Sequence, residues 1–449
     1  VSKIKRIVAL VDGEHYPPVI KSALKKIEEE NSDDRIVGLI FVGGIEKIAY
    51  SYPEELAGYP AKVASNLSGS LMELLDTFGA DVVIDLSDEP VLGYSERMQI
   101  ASSCLRQGVL YRGADFCFEP IRFEDVSKKP SLSIIGTGKR VGKTAVSAYT
   151  ARAYKGMGDR VCVVAMGRGG PHEPQIVDGD LVNIDEEYLL RLSRSGLHAS
   201  SDYLEDALVS RVKTVGCWRC GGGMAGAPFV SNVVDGVRLA DEQDVDFLIF
   251  EGSGSCIPPV SSSATVCVVS ALQNPQYVLG YFGTYRLLIS DAVVVTMCED
   301  EIISRQDLSD LCHGIKRVSS SLKITHTIFR PAPLEPISGK SIVYVTTAVP
   351  GANRVLMEYL EVNYGCKVIF ISNNLSNRAR LREDLSHSIM DCDLILTELK
   401  AAAVDVVTEE AVANGKEVVY CDNIPVSISG DVDMDDLIQY LHDLALSRA

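Results

Sequence analysis

Short apolar runs separated by polar stretches of helical spacing recur along the whole chain. Residues 7–11 (Ile-Val-Ala-Leu-Val), 36–42 and 81–85 are too short for helices and apolar on both faces, which predicts buried parallel strands. Between them, 19–30 carries its charge on one side and 69–78 is amphipathic, so helices are expected to cover the strands. The alternation resumes with apolar runs at 133–135, 160–166, 244–251, 264–271, 292–298 and 323–329. It restarts at 341–345, 368–371, 394–396 and 417–420, with a helix over 353–363. Strand and helix alternating in this way imply an α/β protein of three mostly parallel parts. Lys128-Lys129-Pro130 and Arg330-Pro331-Ala332-Pro333 mark the joints, giving an N-terminal domain over 1–128, a central domain over 129–335 and a C-terminal domain over 336–449. At 449 residues the chain is too long for one ordinary core, which agrees with about three domains.

The run at 133–135 leads into Gly136-Thr137-Gly138-Lys139-Arg140-Val141-Gly142-Lys143-Thr144-Ala145, then a helix-compatible segment. Strand, glycine-bearing loop and helix make a phosphate cradle, in which main-chain N–H groups turn inward and the helix start adds partial positive charge. Gly136, Thr137, Gly138, Val141, Gly142, Lys143, Thr144 and Ala145 are the expected nucleotide-binding residues, with Lys143 on the γ-phosphate and Thr144 on Mg²⁺. The expected ligand is a nucleoside triphosphate with magnesium. Thr137 stands where the strict pattern has its first glycine, a form that resembles the loop of dethiobiotin synthetase. Partition and septum-site ATPases need a signature lysine where this chain has Gly138.

A second signal is the strand over 244–250 ending in Glu251-Gly252-Ser253-Gly254, which sets a carboxylate across from Thr144 for the metal. The loop Gly167-Arg168-Gly169-Gly170-Pro171-His172 directly follows another buried strand and suits an anion beside the γ-phosphate, so Arg168 and His172 are candidate substrate contacts. Asp178 and Asp180 follow in an acidic loop within reach of the metal through water. Ligands in open α/β sheets sit beyond the carboxyl ends of strands, which makes Asp12 to Tyr16, including Glu14 and His15, and Gly43-Gly44 the lining of the N-terminal cleft. Lys400 follows the strand at 394–396 and is a further candidate. Arg97 reads as solvated surface.

The net charge of −18 argues against a nucleic-acid-binding body. No stretch of about twenty apolar residues is present and the first residues lead straight into a strand, so a cytoplasmic protein without membrane attachment is expected. The 12 cysteines are scattered, mostly in apolar strands, and Cys217-Trp218-Arg219-Cys220 alone is a weak zinc signal.

Taken together, Val-Ala-Leu-Val-Asp-Gly-Glu-His-Tyr-Pro-Pro near the start, the cradle, Met-Gly-Arg-Gly-Gly-Pro and Phe-Glu-Gly-Ser-Gly resemble the cyclic 2,3-diphosphoglycerate synthetases of methanogenic archaea. The resemblance implies an ATP-dependent ligase that closes the intramolecular pyrophosphate of 2,3-diphosphoglycerate, releasing ADP and phosphate. It implies ATP and Mg²⁺ as cofactors with K⁺ stimulation, a homodimer, and a thermoadapted cytoplasm. Lys143, Lys139 and Arg140 would then be catalytic, Thr144, Glu251 and Asp178 would hold metal, and Arg168, His172, Glu14, His15 and Lys400 would meet substrate. A small-acid kinase such as 2-phosphoglycerate kinase, or a P-loop ATPase switch, would use the same cradle.

Overall fold

The computed structural model describes residues 4–30, 34–43, 55–56, 58–66 and 69–449. Gly44 of the expected cleft lining lies outside the described residues. Two compact units result: 1–122 with 274–289, and 123–273 with 290–449.

The first unit is built on a seven-stranded sheet whose centre is the parallel trio Arg35–Phe41, Arg6–Val11 and Val82–Asp85. Their near-continuous burial explains why they read as unbroken apolar runs. Arg97, in the helix Tyr94–Arg106, is not solvated surface. It donates to Asp85 Oδ2 at 3.0 Å, to the Leu92 carbonyl at 2.6 Å and to the Ser87 carbonyl at 2.9 Å, and Tyr111 adds a 2.7 Å bond to the same Asp85 oxygen. Two short helices from later in the chain, Pro275–Leu279 and Gly283–Leu288, belong to this unit, where Phe282 meets Phe118 edge-on.

The second unit carries a 13-stranded sheet. Its order is Gln175–Asp178, Lys213–Cys220, Val161–Gly167, Phe247–Glu251, Ser131–Gly136, Ala264–Ser270, Ala292–Thr296, Lys323–Pro333, Glu417–Gly430, Leu394–Glu398, Ser341–Val345 and Lys367–Ser372, with Val230–Ser231 paired to the end of Lys213–Cys220. From Lys213–Cys220 to Lys323–Pro333 the strands are parallel, as are the last four. The central and C-terminal patterns therefore form one sheet, joined where Lys323–Pro333 pairs antiparallel with Glu417–Gly430.

That single antiparallel step decides where the ligand edge lies. Glu398 is in register with Cys421, and Cys421 with Pro333 at the carboxyl end of its strand. The carboxyl ends of the two halves consequently face one another, so polar groups from both can converge. Alternate strand residues supply the two cores. Ile134, Val163 and Ile249 pack under Val146, Ala151 and Tyr154 of the helix Lys143–Met157, and Val164, Leu248 and Phe250 pack against Val233 and Val237 of the helix Val233–Asp241. The C-terminal helix Met434–Arg448 returns to the first of these cores through Leu437, Ile438 and Leu441.

Candidate functional site

The cradle is the turn between the strand Ser131–Gly136 and the helix Lys143–Met157. Gly142, immediately before the helix, has φ +94°, and an added Cβ would lie 2.3 Å from the Phe329 ring. Glycine is required there on both counts. Three bonds staple the loop to neighbouring strands: the Thr137 N–H donates to the Val268 carbonyl at 3.2 Å, Thr137 Oγ1 to Gln273 Oε1 at 2.5 Å, and Thr296 Oγ1 to the Val141 carbonyl at 2.8 Å.

Lys143 is buried and its Nζ spans the loop to the Gly138 carbonyl at 3.1 Å. Burial holds its pKa below the usual lysine value, against the pull of Glu251 and Asp202. Such an ammonium gains most from a nearby anion. Thr144 Oγ1 donates to Glu251 Oε1 at 2.7 Å, so the end of the strand Phe247–Glu251 stands beside the start of the cradle helix. Lys139 and Arg140 are exposed on the loop. Burial lowers the Lys139 pKa, and the charges of Arg168 and Arg140 lower it further.

The helix Asp202–Ser210, unread in the sequence, contributes Asp202, Glu205 and Asp206. Spacings of three and four put all three on one face. An added Cβ on Gly167 would lie 3.5 Å from Asp202 Oδ2, which places Asp202 beside the Arg168 loop. Asp206 is fully buried with its carboxyl against that of Glu251, and among the described residues no group other than these two carboxyls is placed to donate to the Asp206 oxygens or to Glu251 Oε2. Burial and the Glu251 charge push the Asp206 pKa far up, and burial raises that of Glu251. Orphaned carboxylate oxygens beside a threonine hydroxyl suit a divalent cation. Among the described residues no group of three or more His, Cys, Asp or Glu is arranged to hold a metal alone. That fits magnesium, which takes one or two carboxylates and completes its shell with water and substrate phosphates.

Several expected residues lie elsewhere. Asp178 is no partner of Glu251: it pairs with Lys213, which pairs with Cys162, which pairs with Leu248. It thus sits three strands away, at the level of Leu248 rather than Glu251. Asp180 binds Lys155 Nζ at 2.7 Å, at the far end of the cradle helix, about 18 Å along its axis from Lys143. Loop continuity in sequence concealed that the chain had crossed to the opposite edge of the sheet.

His172 points to solvent, 92% exposed, with Glu173 at 3.7 Å; its carbonyl, not its ring, is used, accepting from Trp218 Nε1 at 2.9 Å. His15, in the first unit, bonds Asp12 Oδ1 at 2.7 Å, and that bond raises its pKa. Asp12 also accepts from the N–H groups of Glu14, His15 and Asp88, so it organises the turn, with the Glu14 side chain exposed. Lys400 is withdrawn into an ion pair with Glu205 at 3.3 Å, with side chains 27% and 11% exposed. Burial alone would lower the Lys400 pKa, but Glu205 and Glu398 outweigh it and raise it; burial also pushes Glu205 up to about 8. A lysine held against Glu205 in this way ties the C-terminal strands to the acidic helix instead of standing free at the site. Lys400→Met should therefore cost roughly 3 kcal/mol in urea unfolding, the usual penalty for stranding one partner of a buried pair, with the KM for substrate changed less than about threefold.

Comparison with known proteins gives a consistent result. The family described as cyclic 2,3-diphosphoglycerate synthetase matches in three segments: its N-terminal domain over 6–119, its P-loop domain over 131–328 and its C-terminal domain over 333–424. Proteins of that name are similar over nearly their full length. That of Methanothermobacter thermautotrophicus is 46% identical over 443 residues, 96% of this chain and 95% of the relative. That of Methanothermus fervidus is 44% identical, covering 98% of each, and that of Rubrobacter xylanophilus is 46% identical, covering 94% of each.

Proposed function

The chain belongs to the cyclic 2,3-diphosphoglycerate synthetase family, and from that premise we propose that ring closure proceeds by activation of one substrate phosphate at the cradle around Lys143. The protein is an ATP-dependent cyclising ligase that forms cyclic 2,3-diphosphoglycerate. An oxygen of one substrate phosphate attacks the γ-phosphorus of ATP; the bond from that phosphorus to the β-phosphate bridge breaks, and ADP leaves. The neighbouring phosphate then attacks the activated phosphorus, the P–O–P ring forms, and the transferred group departs as inorganic phosphate. No protein nucleophile is needed.

ATP and substrate are both polyanions, so the main task is electrostatic. Lys143 neutralises the β and γ oxygens. Lys139 and Arg140 face the migrating phosphoryl group, and Arg168 binds substrate phosphate in the bidentate manner open to arginine. Thr144 and Glu251 would hold magnesium, which would supply charge neutralisation for the triphosphate when bound. The observation that carries this reading is the buried Lys143 beside the Thr144–Glu251 pair, with Lys139, Arg140 and Arg168 gathered on the same edge. Holding ATP and substrate in one pocket makes the phosphoryl transfer effectively unimolecular, which gains several kcal/mol, and orienting the neighbouring phosphate favours a closure that is already intramolecular.

Isotope tracing tests the route. With ¹⁸O in the non-bridging oxygens of both substrate phosphates, the released phosphate should carry one labelled oxygen, the former bridge; unlabelled phosphate would refute the transfer. A kinase would give a phosphorylated product with no phosphate release. For Arg168→Ala, initial rates should show a KM for diphosphoglycerate raised about tenfold or more, with that for ATP within about threefold. A change confined to ATP would contradict the assigned role.

A further inference from the structure

Arg219 has no role in the reading above, yet it stands at the same edge of the sheet. It lies near the carboxyl end of Lys213–Cys220, one residue beyond the pairing of Trp218 with Gly167, and so beside the strand end that leads into Arg168. Its side chain reaches across to the loop that follows Glu251, where Nη2 donates to the Ser253 carbonyl at 3.1 Å; Nη1 donates to the Gly221 carbonyl at 3.2 Å. Gly222 and Gly254 both lie beside the guanidinium, at ordinary contact distance for an added Cβ, and Gly254 turns its loop with φ +61°.

The charge is what calls for a partner. Among the described residues no carboxylate pairs with Arg219, although the chain carries a net charge of −18. Both contacts are to neutral carbonyls, and Nε is buried with no partner at all. Two of the five guanidinium N–H groups are thus engaged by backbone, which fixes the plane without neutralising it. A mere staple between two loops needs donors but no charge. An unneutralised cation at a sheet edge where ligands bind is stabilised when an anion lies beside it.

We propose that Arg219 is a specificity residue for 2,3-diphosphoglycerate, receiving the phosphate that is not activated and holding it in line for ring closure. This rests on the reading of the cradle given above. ATP occupies the cradle side, around Lys143, and Arg219 and Arg168 come from adjacent strands to face the second polyanion. A substrate with two vicinal phosphates meets two arginines, and one with a single phosphate leaves one of them unpaired. Discrimination against monophosphates follows.

The test compares Arg219→Gln, which removes the charge but leaves an amide donor, and Arg219→Lys, which keeps the charge without the fork, in the full-length protein. Initial rates should show the KM for 2,3-diphosphoglycerate raised at least about tenfold in Arg219→Gln and by less in Arg219→Lys, with the KM for ATP within about twofold in both. Isothermal titration should show 2,3-diphosphoglycerate binding weakened in the same order, a readout that survives loss of turnover. Equal losses of ATP and substrate affinity, or an unchanged KM for diphosphoglycerate, would overturn the proposal. Failure of the cradle reading is separately visible, because the wild-type protein would then release phosphate without the substrate label.

Discussion

Lys143→Ala should lower turnover on the order of 10³-fold, the scale of loss when a preorganised group facing developing charge is removed. Its ammonium is buried and, among the described residues, donates to the Gly138 carbonyl alone. The alanine variant leaves one carbonyl facing an open loop and removes a cation whose burial already disfavours its charged form. Folding should therefore be little affected, with a melting temperature within a few degrees of wild type. Parallel assays of ADP release and of cyclic product separate this from unfolding. Retention of more than about a tenth of wild-type turnover would remove Lys143 from the mechanism.

The second large effect is expected for Glu251→Gln. The amide is the same size and its oxygen still accepts from Thr144 Oγ1, so the geometry between strand and cradle helix survives. What disappears is the negative charge beside the orphaned Asp206 carboxyl. Turnover should fall by on the order of 10², and the magnesium concentration needed for half activity should rise at least about tenfold.

Stability should move the opposite way. The folded-state pKa of Glu251 is raised above its ordinary value of 4.5 by burial. From that value upward the folded protein binds more protons than the unfolded chain, so this group makes stability fall as pH rises, and the cost is complete above the raised pKa. Glu251→Gln abolishes that contribution: urea unfolding without nucleotide should show a variant at least as stable as wild type at neutral pH, with a flatter pH dependence above pH 4.5. Loss of stability at neutral pH would mean that Glu251 is structural.

These residues were legible because their chemistry is written locally. An apolar strand that stops at a glycine loop, or at Glu251-Gly252, carries its position in its own neighbours, and the strand register then sets Thr144 against Glu251. The acidic helix Asp202–Ser210 left no such mark. Asp202, Glu205 and Asp206 have the spacing of an ordinary solvated helix face, and Glu205 and Asp206 are interior only because that helix packs against the cradle helix and its neighbouring strands. Arg219 was hidden inside a Cys-x-x-Cys pattern, although Cys217 is buried, Cys220 exposed, and residues three apart on a strand point to opposite faces.

Long-range pairing accounts for the other differences. The strand Glu417–Gly430 runs well past the apolar stretch 417–420 because Lys323–Pro333 pairs with it, through Pro425 and Pro331, residues that argue against a strand when read alone. The same pairing turns the C-terminal strands to face the cradle edge and draws Lys400 onto Glu205. Asp178 was misplaced for the converse reason: the strand Gln175–Asp178 starts beside the Arg168 loop but runs antiparallel to Lys213–Cys220, which carries Asp178 to the opposite end of the sheet.

In the proposed function, one edge of one sheet holds the triphosphate and the diphosphate together. A crystal structure of the protein with a non-hydrolysable ATP analogue, Mg²⁺ and 2,3-diphosphoglycerate tests it most directly. The expected result is a γ-phosphate within hydrogen-bond distance of Lys143 Nζ, the metal against Thr144 and Glu251, and a substrate phosphate on the Arg168 side of the cradle. A triphosphate bound away from Lys143, or a substrate with neither phosphate near the γ-phosphorus, would contradict it.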